Sequence, residues 1–88
     1  MMIYKVRETV LWKIVDGEAV MVDPDKEEYC YLNRVGTKIW EMIAEKQSLE
    51  DIFKKLVEEY DAPEADVRRG LNKLIDRLLK KDLIGPVN

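Results

Sequence analysis

Few residues of this 88-residue chain have side chains suited to covalent chemistry. Cys30 is the only cysteine, and the chain contains no histidine. A thiol becomes a strong nucleophile when a neighbouring base or positive charge stabilises the thiolate, and an imidazole is the usual base. Cys30 lies in the middle of a segment with strand character, where a small apolar side chain commonly packs inside the protein. We therefore interpret Cys30 as a core residue and not as a catalytic nucleophile.

The carboxylates are more numerous, but their spacing does not indicate a metal site. Residues 23–28 and 58–61 are rich in Asp and Glu, yet neither segment has the glycine-containing spacing of a calcium-binding loop. The absence of histidine also removes the commonest protein ligand of transition metals. The four glycines form no motif that would bind phosphate. We expect a protein with no metal, no cofactor and no catalytic activity of its own.

Length and charge indicate one small folded domain. An apolar fraction of 47% supports a packed core, and we expect a single domain spanning residues 1–88. The 15 basic and 18 acidic side chains are typical of a solvated surface. The sequence has no apolar run near the roughly 20 residues that cross a membrane, and its N-terminus lacks the features of a secretory signal. We expect a cytoplasmic protein.

Apolar and polar residues alternate in the first third of the chain, which indicates β-strands. Residues 10–15 and 18–23 flank Asp16-Gly17, a dipeptide that favours a tight hairpin turn. Pro24 marks a second turn, after which residues 29–32 return as a third strand. The pattern predicts a three-stranded antiparallel meander.

From Asn33 onward the apolar residues recur at helical spacing. Asn33 is a good N-cap for a first helix, and Ser48 with Asp51 resembles a capping box that opens a second. Pro63 suits the first turn of a third helix, the longest of the three. Residues 83–86 are predicted to form a short extended tail. The elements predict an α+β fold, a three-stranded antiparallel sheet followed by three helices, resembling a winged helix-turn-helix.

Winged-helix architecture raises the alternative of a DNA-binding regulator. The third helix would then be the recognition helix, and it carries several basic residues: Arg68, Arg69, Lys73, Arg77, Lys80 and Lys81. Asp66, Asp76 and Asp82 interrupt this positive charge, and the whole chain has a net charge of −3. Duplex binding gains most of its affinity from the neutralisation of phosphates, which an acidic chain supplies poorly. DNA binding is therefore the disfavoured alternative.

The segment YCYLNRVGTKIWEMI, followed by SLEDIFKKLVEEYDAPEADVRRGLNKLIDRLLKKDLIGP, resembles the PqqD-like family over nearly the whole chain. This family is named for a pyrroloquinoline quinone biosynthesis protein. The resemblance implies a recognition element that captures the leader segment of a ribosomally made precursor peptide and presents it to a modifying enzyme. That enzyme would be a radical S-adenosylmethionine enzyme, as in quinone cofactor or thioether formation, or a leader peptidase, as in lasso-peptide maturation.

In this family the leader is held as an added strand that pairs with the third strand, beside the third helix. The third strand of this chain is short and contains no proline or lysine to discourage pairing. Its residues are therefore the expected site of backbone pairing: Glu28, Tyr29, Cys30, Tyr31 and Leu32. The alternative interpretation is that the two tyrosines only cover the outer face of the sheet.

On the third helix, the apolar positions extend beyond one narrow core stripe. That stripe consists of Val67, Leu71, Leu74 and Leu78 at about 100° per residue. Ile75 and Leu79 widen it to one side, where Arg68 and Asn72 adjoin them. We expect Ile75 and Leu79 to form the apolar floor of a peptide groove, with Arg68 and Asn72 making polar contacts. The alternative is that Ile75 and Leu79 belong to the core.

Overall fold

The computed structural model describes residues 2–87 as a mixed α+β structure. The elements follow one another along the chain in this order: β1 (Tyr4–Val6), β2 (Leu11–Val15), β3 (Glu18–Asp23), β4 (Glu28–Tyr31), α1 (Arg34–Ala44), α2 (Leu49–Glu59), α3 (Glu64–Lys80) and β5 (Ile84–Pro86). The predicted α+β fold, with three strands followed by three helices, is confirmed. Residues 1 and 88, the ends of the predicted domain, lie outside the described residues.

Strands β2, β3 and β4 form the predicted antiparallel sheet, with β3 in the centre. The β2–β3 turn places Asp16 and Gly17 at φ values of 53° and 81°. Positive φ at both central residues matches the right-handed twist of the two strands, and Gly and Asp tolerate it better than most residues. The turn therefore fixes the pairing of Val15 with Glu18 and of every pair beyond it.

A second, two-stranded sheet pairs β1 with β5 in antiparallel register, from Tyr4 opposite Pro86 to Val6 opposite Ile84. The extended tail was predicted, but its partner was not. Three residues are too few to show a convincing alternation of apolar and polar positions, so β1 has little signal in the sequence. The pairing brings the two ends of the described chain together.

Side-chain caps begin the first two helices as predicted. The Asn33 side chain accepts a hydrogen bond from the Gly36 N–H at 2.8 Å, and the Ser48 hydroxyl accepts one from the Asp51 N–H at 3.2 Å. Each cap satisfies a backbone donor that has no partner within the helix. Helix α3 begins at Glu64, directly after Pro63, which makes no side-chain cap.

The core lies between the inner face of the sheet and the three helices. Trp40 of α1 is fully buried, and its ring meets Trp12 of β2 edge to face with 5.8 Å between the centroids. Cys30 is 4% exposed, so its interpretation as a core residue is confirmed. Among residues 2–87, no helix combines the length and the apolar character that crossing a membrane requires.

Thr37 of α1 links the helix to the sheet and is buried there. Its hydroxyl accepts a hydrogen bond from the Ala19 N–H at 2.7 Å and lies 3.5 Å from the Leu32 carbonyl oxygen. Leu32 in turn donates its N–H to the Ala19 carbonyl at 3.0 Å. One buried side chain therefore satisfies the backbone at the point where β4 leaves β3 and α1 begins.

Replacing Thr37 with Val should lower the free energy of unfolding by about 1–3 kcal/mol, because the buried Ala19 N–H loses its acceptor. Urea unfolding followed by circular dichroism measures this change. Thr37→Ser is the matched control, since it keeps the hydroxyl and loses only a methyl group, at a cost of about 0.8 kcal/mol. A Val variant as stable as the Ser variant would show that the hydrogen bond does not support the fold.

Candidate functional site

Strand β4 forms an edge of the three-stranded sheet, and within residues 2–87 no strand pairs with its outer side. Backbone groups in an antiparallel pair alternate between those that bond across the ladder and those that point away from it. Leu32 bonds to Ala19, and Cys30 pairs with Met21 two residues earlier along β4, so both face β3. Tyr29 and Tyr31 alternate with them. Their N–H and C=O groups therefore point outward, free to pair with another strand.

A groove of about 660 Å³ runs between the end of β4 and helix α3. Its floor consists of core residues that are at most 4% exposed: Leu32, Ile39, Leu56 and Leu71. One wall is formed by Tyr31 and by Val35 of α1, which are 66% and 39% exposed. An apolar depression beside a free strand edge can receive alternate side chains of an added strand, while the edge pairs with its backbone.

Helix α3 forms the other wall of the groove. The residues that line it are Asp66, Val67, Gly70, Leu71, Leu74 and Arg77. Val67, Gly70, Leu74 and Arg77 recur at intervals of three and four, so they share one face of the helix. This face is apolar near its middle, with an acid at the N-terminal end of α3 and a cation toward the C-terminal end.

The C-terminal half of α3 is held close to β4. An Arg77 nitrogen lies 3.7 Å from the Cys30 sulfur, across the space between helix and strand. The Lys26 ammonium in the β3–β4 turn contacts the Asp82 carboxylate at 2.7 Å. The Lys26 ammonium donates a hydrogen bond to the Asp82 carboxylate, and this bond lowers the pKa of Asp82 below its usual value and raises the pKa of Lys26 above its usual value. Both side chains are largely solvent-exposed, so this pair positions the turn more than it stabilises the fold.

The strand residues predicted to bind a peptide lie along this edge. Tyr31 and Leu32 line the groove itself. Glu28, Tyr29 and Cys30 instead line a much smaller depression next to Lys81 and Leu83. Tyr29 and Tyr31 are both strongly exposed, whereas Cys30 and Leu32 point into the core. Tyr29 and Tyr31 therefore face outward, Cys30 and Leu32 are apolar residues of the core, and Glu28 is exposed.

The four helix residues predicted with them do not lie in the groove. Ile75 is 4% exposed and packs in the core, and Leu79 is partly buried against the same cluster. Arg68 stacks on the Phe53 ring at 3.8 Å and donates to the Glu50 carboxylate at 2.9 Å, which lowers the pKa of Glu50. Asn72 is exposed outside the groove. This side of α3 faces α2 and solvent, so the apolar floor expected from Ile75 and Leu79 is supplied by other residues.

The groove face of α3 was missed because its composition is mixed. Val67 and Leu74 were assigned to the core stripe, yet both are only partly buried and line the groove. Gly70 and Arg77 adjoin them but lack large apolar side chains. A search for additional apolar positions therefore selects Ile75 and Leu79, on the other side of the core stripe. The available signal was Gly70, because a glycine inside a helix lowers helix stability relative to alanine.

The potential metal ligands and the single thiol of the protein are dispersed or buried. Within residues 2–87, no group of three or more potential metal ligands comes together. The thiol of Cys30 is buried, and its sulfur accepts a hydrogen bond from the Arg77 guanidinium at 3.7 Å. The groove and the adjoining β4 edge present groups suited to binding. These are outward backbone donors and acceptors, an apolar floor, and one acidic and one basic side chain in the groove wall.

Two solved structures with a similar architecture are complexes with leader peptides. The chain is 26% identical to the protein in "TbiB1 in Complex with the TbiA(beta) Leader Peptide", with a TM-score of 0.88 over 96% of this chain and 98% of that chain. It is 23% identical to "Lasso peptide synthetase B1 complexed with the leader peptide", with a TM-score of 0.86 over 94% of this chain and 98% of that chain. The second likeness is one of fold alone.

A family profile gives the sequence-level relationship. No curated protein matches the sequence. The profile described as "Coenzyme PQQ synthesis protein D (PqqD)" matches residues 18–84, which include β3, β4, all three helices and the first residue of β5. This range covers well over half of the 88 residues and contains both walls of the groove. The chain therefore belongs to the PqqD family.

Proposed function

We propose that this protein is a peptide-binding adaptor that captures the leader segment of a ribosomally made precursor peptide. The leader adds a strand to the outer edge of β4, beside α3, and its alternate side chains enter the groove. The observation that carries this proposal is the position of the outward backbone groups of Tyr29 and Tyr31 next to an apolar groove. The first of the similar structures is a complex of its protein with a leader peptide, which supports leader binding as the function of this protein.

The site suits an extended peptide better than a folded partner. Strand addition gains affinity from main-chain hydrogen bonds, which do not depend on the sequence of the peptide. Specificity must then come from the side chains that enter the groove between Tyr31 and the α3 residues Val67 and Leu74. A short peptide must also be ordered on binding, which offsets part of the gain. We expect a dissociation constant of micromolar order, which corresponds to a binding free energy of about −8 kcal/mol.

The bound leader tethers its precursor to a second protein, the modifying enzyme. Two classes of enzyme are compatible with this role: a radical S-adenosylmethionine enzyme and a leader peptidase. The adaptor itself performs no covalent step, because its thiol is buried and its groove has no base beside a nucleophile. We place this activity in the cytoplasm, where precursor peptides are synthesised.

A DNA-binding role is not favoured by the geometry. The face of α3 that opens onto the groove is apolar at Val67 and Leu74 and begins with the acid Asp66. A recognition helix instead needs basic and polar side chains that reach the edges of bases. The positive charges of α3 are interspersed with acids, and Arg69 is paired with Asp66 at 3.1 Å.

The proposal can be tested without knowledge of the natural precursor. Random peptides of about twelve residues, displayed on phage and selected on the immobilised protein, supply a binding probe, since a bound strand of that length spans β4 and the groove. The selected peptide is then titrated into labelled protein while amide chemical shifts are recorded. Shifts should cluster at residues 28–33 and along the groove face of α3. A failure to select any strand-like peptide, or shifts confined to the Asp16-Gly17 hairpin, would contradict the proposal.

Replacing Tyr31 with Pro should weaken binding of the selected peptide about tenfold or more. Proline removes an outward N–H donor, and its ring occupies the space that the added strand needs. Isothermal titration calorimetry measures the affinity, and Tyr31→Ala separates loss of the side chain from loss of the donor. The matched control is Ile14→Pro, which removes an outward N–H from the opposite edge at β2. Equal affinities for the two Pro variants would contradict pairing at β4.

A charge placed on the groove face of α3 should also abolish binding while the fold persists. Leu74→Asp puts a carboxylate on the α3 wall of the groove, where its burial by the bound peptide costs several kcal/mol. Asn72→Asp adds the same charge two residues earlier, on an exposed position outside the groove. We expect loss of binding for the first variant and near-normal affinity for the second. Circular dichroism confirms that both remain folded, and tight binding by Leu74→Asp would overturn the assignment of this wall.

A further inference from the structure

Gly70 is an unexpected residue for its position in α3. It is the seventh of 17 residues in the helix, where glycine lowers helix stability relative to alanine. Its φ is not in the left-handed region, so the backbone does not require glycine. A Cβ built at Gly70 meets no atom within 4 Å beyond its chain neighbours and the adjacent backbone of its own helix, so packing against the rest of the protein does not require glycine either.

Each of the other three glycines has either a positive φ or an atom of another residue in front of it. Gly17 has a positive φ in the hairpin turn. A Cβ at Gly36 would lie 3.3 Å from both the Asn33 side-chain oxygen and the Leu32 Cβ, which is a tight fit beside the α1 cap. A Cβ at Gly85 would meet the Arg7 guanidinium at 3.8 Å. Gly70 alone has open space in front of it, and that space is the groove.

We propose that Gly70 is a specificity-determining residue that lets the bound peptide pack directly against the backbone of α3. This inference rests on the proposed function. The absence of a side chain opens a notch in the wall between Val67 and Leu74, with Tyr31 across the groove. The surroundings of the notch are apolar, so the peptide places a bulky apolar side chain there. The glycine therefore lowers the stability of the helix at the position where the bound peptide comes closest to it.

The Gly70→Ala variant tests this inference because it should make the fold more stable and at the same time weaken peptide binding. The added methyl group should raise the melting temperature by about 2–8 °C through helix propensity alone. It should weaken binding of the selected peptide about tenfold, because one methyl group is enough to disturb a closely packed surface. Differential scanning calorimetry and isothermal titration calorimetry measure the two effects.

Asn72→Ala is the matched control for Gly70→Ala. It also raises helix propensity on α3, but at an exposed position outside the groove. We expect it to stabilise the protein and to leave affinity unchanged. If Gly70→Ala binds the selected peptide as tightly as the original protein, the inference is wrong, while the proposed function stands on the binding already measured. If no peptide binds the original protein, the proposed function fails first.

Arg77 carries a second inference through a separate observation. Its guanidinium lies in the groove wall and contacts the Cys30 sulfur, a weak acceptor. None of the ion pairs found within residues 2–87 includes Arg77, although Arg7, Arg68 and Arg69 each have a carboxylate partner. Lys73, Lys80 and Lys81 line a shallow depression beside it, together with a single acid, Asp76. A carboxylate is the group that matches a guanidinium best.

We infer that the captured peptide has an acidic residue facing Arg77, toward the C-terminal end of α3. The test repeats the display selection on the Arg77→Glu variant. Peptides selected on the original protein should be enriched in Asp or Glu at one fixed position relative to their apolar residues. On Arg77→Glu the same position should be enriched in Lys or Arg, while the apolar pattern persists.

The control for this selection is Lys55→Glu, which makes the same change in net charge on the exposed face of α2. It should select the same acidic position as the original protein, because its charge lies outside the groove. Apolar peptides selected without any acidic preference would refute the role of Arg77 and leave strand addition intact. An acidic preference lost equally in both variants would show a response to net charge alone and would also refute it.

Discussion

The register between β3 and β4 is the constraint on which the site depends. The hydrogen bond from Leu32 to the Ala19 carbonyl fixes which residues of β4 face their neighbour. A shift of one residue would turn Cys30 and Leu32 out of the core and direct the backbone groups of Tyr29 and Tyr31 inward. The Asp16-Gly17 turn sets the register of the hairpin, and Thr37 holds the junction between β4 and α1. Local turn chemistry and one buried hydroxyl therefore determine what the free edge presents.

Helix α3 packs into the core with one face and lines the groove with the adjacent face. Leu71, Ile75 and Leu78 are buried and attach the helix to the rest of the protein. Val67, Leu74 and Arg77 lie beside them and remain open to a ligand. Because both faces belong to one rigid helix, the distance between the groove wall and the β4 edge is set by core packing. A peptide that binds here meets a preformed surface, which limits the entropic cost to the ordering of the peptide.

Sequence reasoning predicted most of the fold, and it placed five of the nine predicted peptide-binding residues at the β4 edge and its end. The hairpin, the third strand, the three helices and their Asn33 and Ser48 caps follow from local signals, and the structure has them where expected. Strand β1 is too short to give such a signal. Ile75 and Leu79 were predicted to line the groove, whereas the structure lines it with other residues of α3. Periodicity shows how wide an apolar stripe is but not which edge of it faces a neighbour. That distinction depends on how α2 and α3 pack, as the contact of Arg68 with Phe53 shows.

Amide hydrogen exchange at β4 tests the central claim most directly. In the free protein, the amides of Tyr29 and Tyr31 point outward and should exchange rapidly, whereas the amide of Cys30 faces β3. Saturation with a selected peptide should slow exchange at the two tyrosines by about tenfold or more, because each donor gains an acceptor in the added strand. The outward amides of the opposite edge, at Trp12 and Ile14, should keep their original rates. Binding that leaves Tyr29 and Tyr31 unprotected, or that protects Trp12 and Ile14 instead, would contradict strand addition at β4.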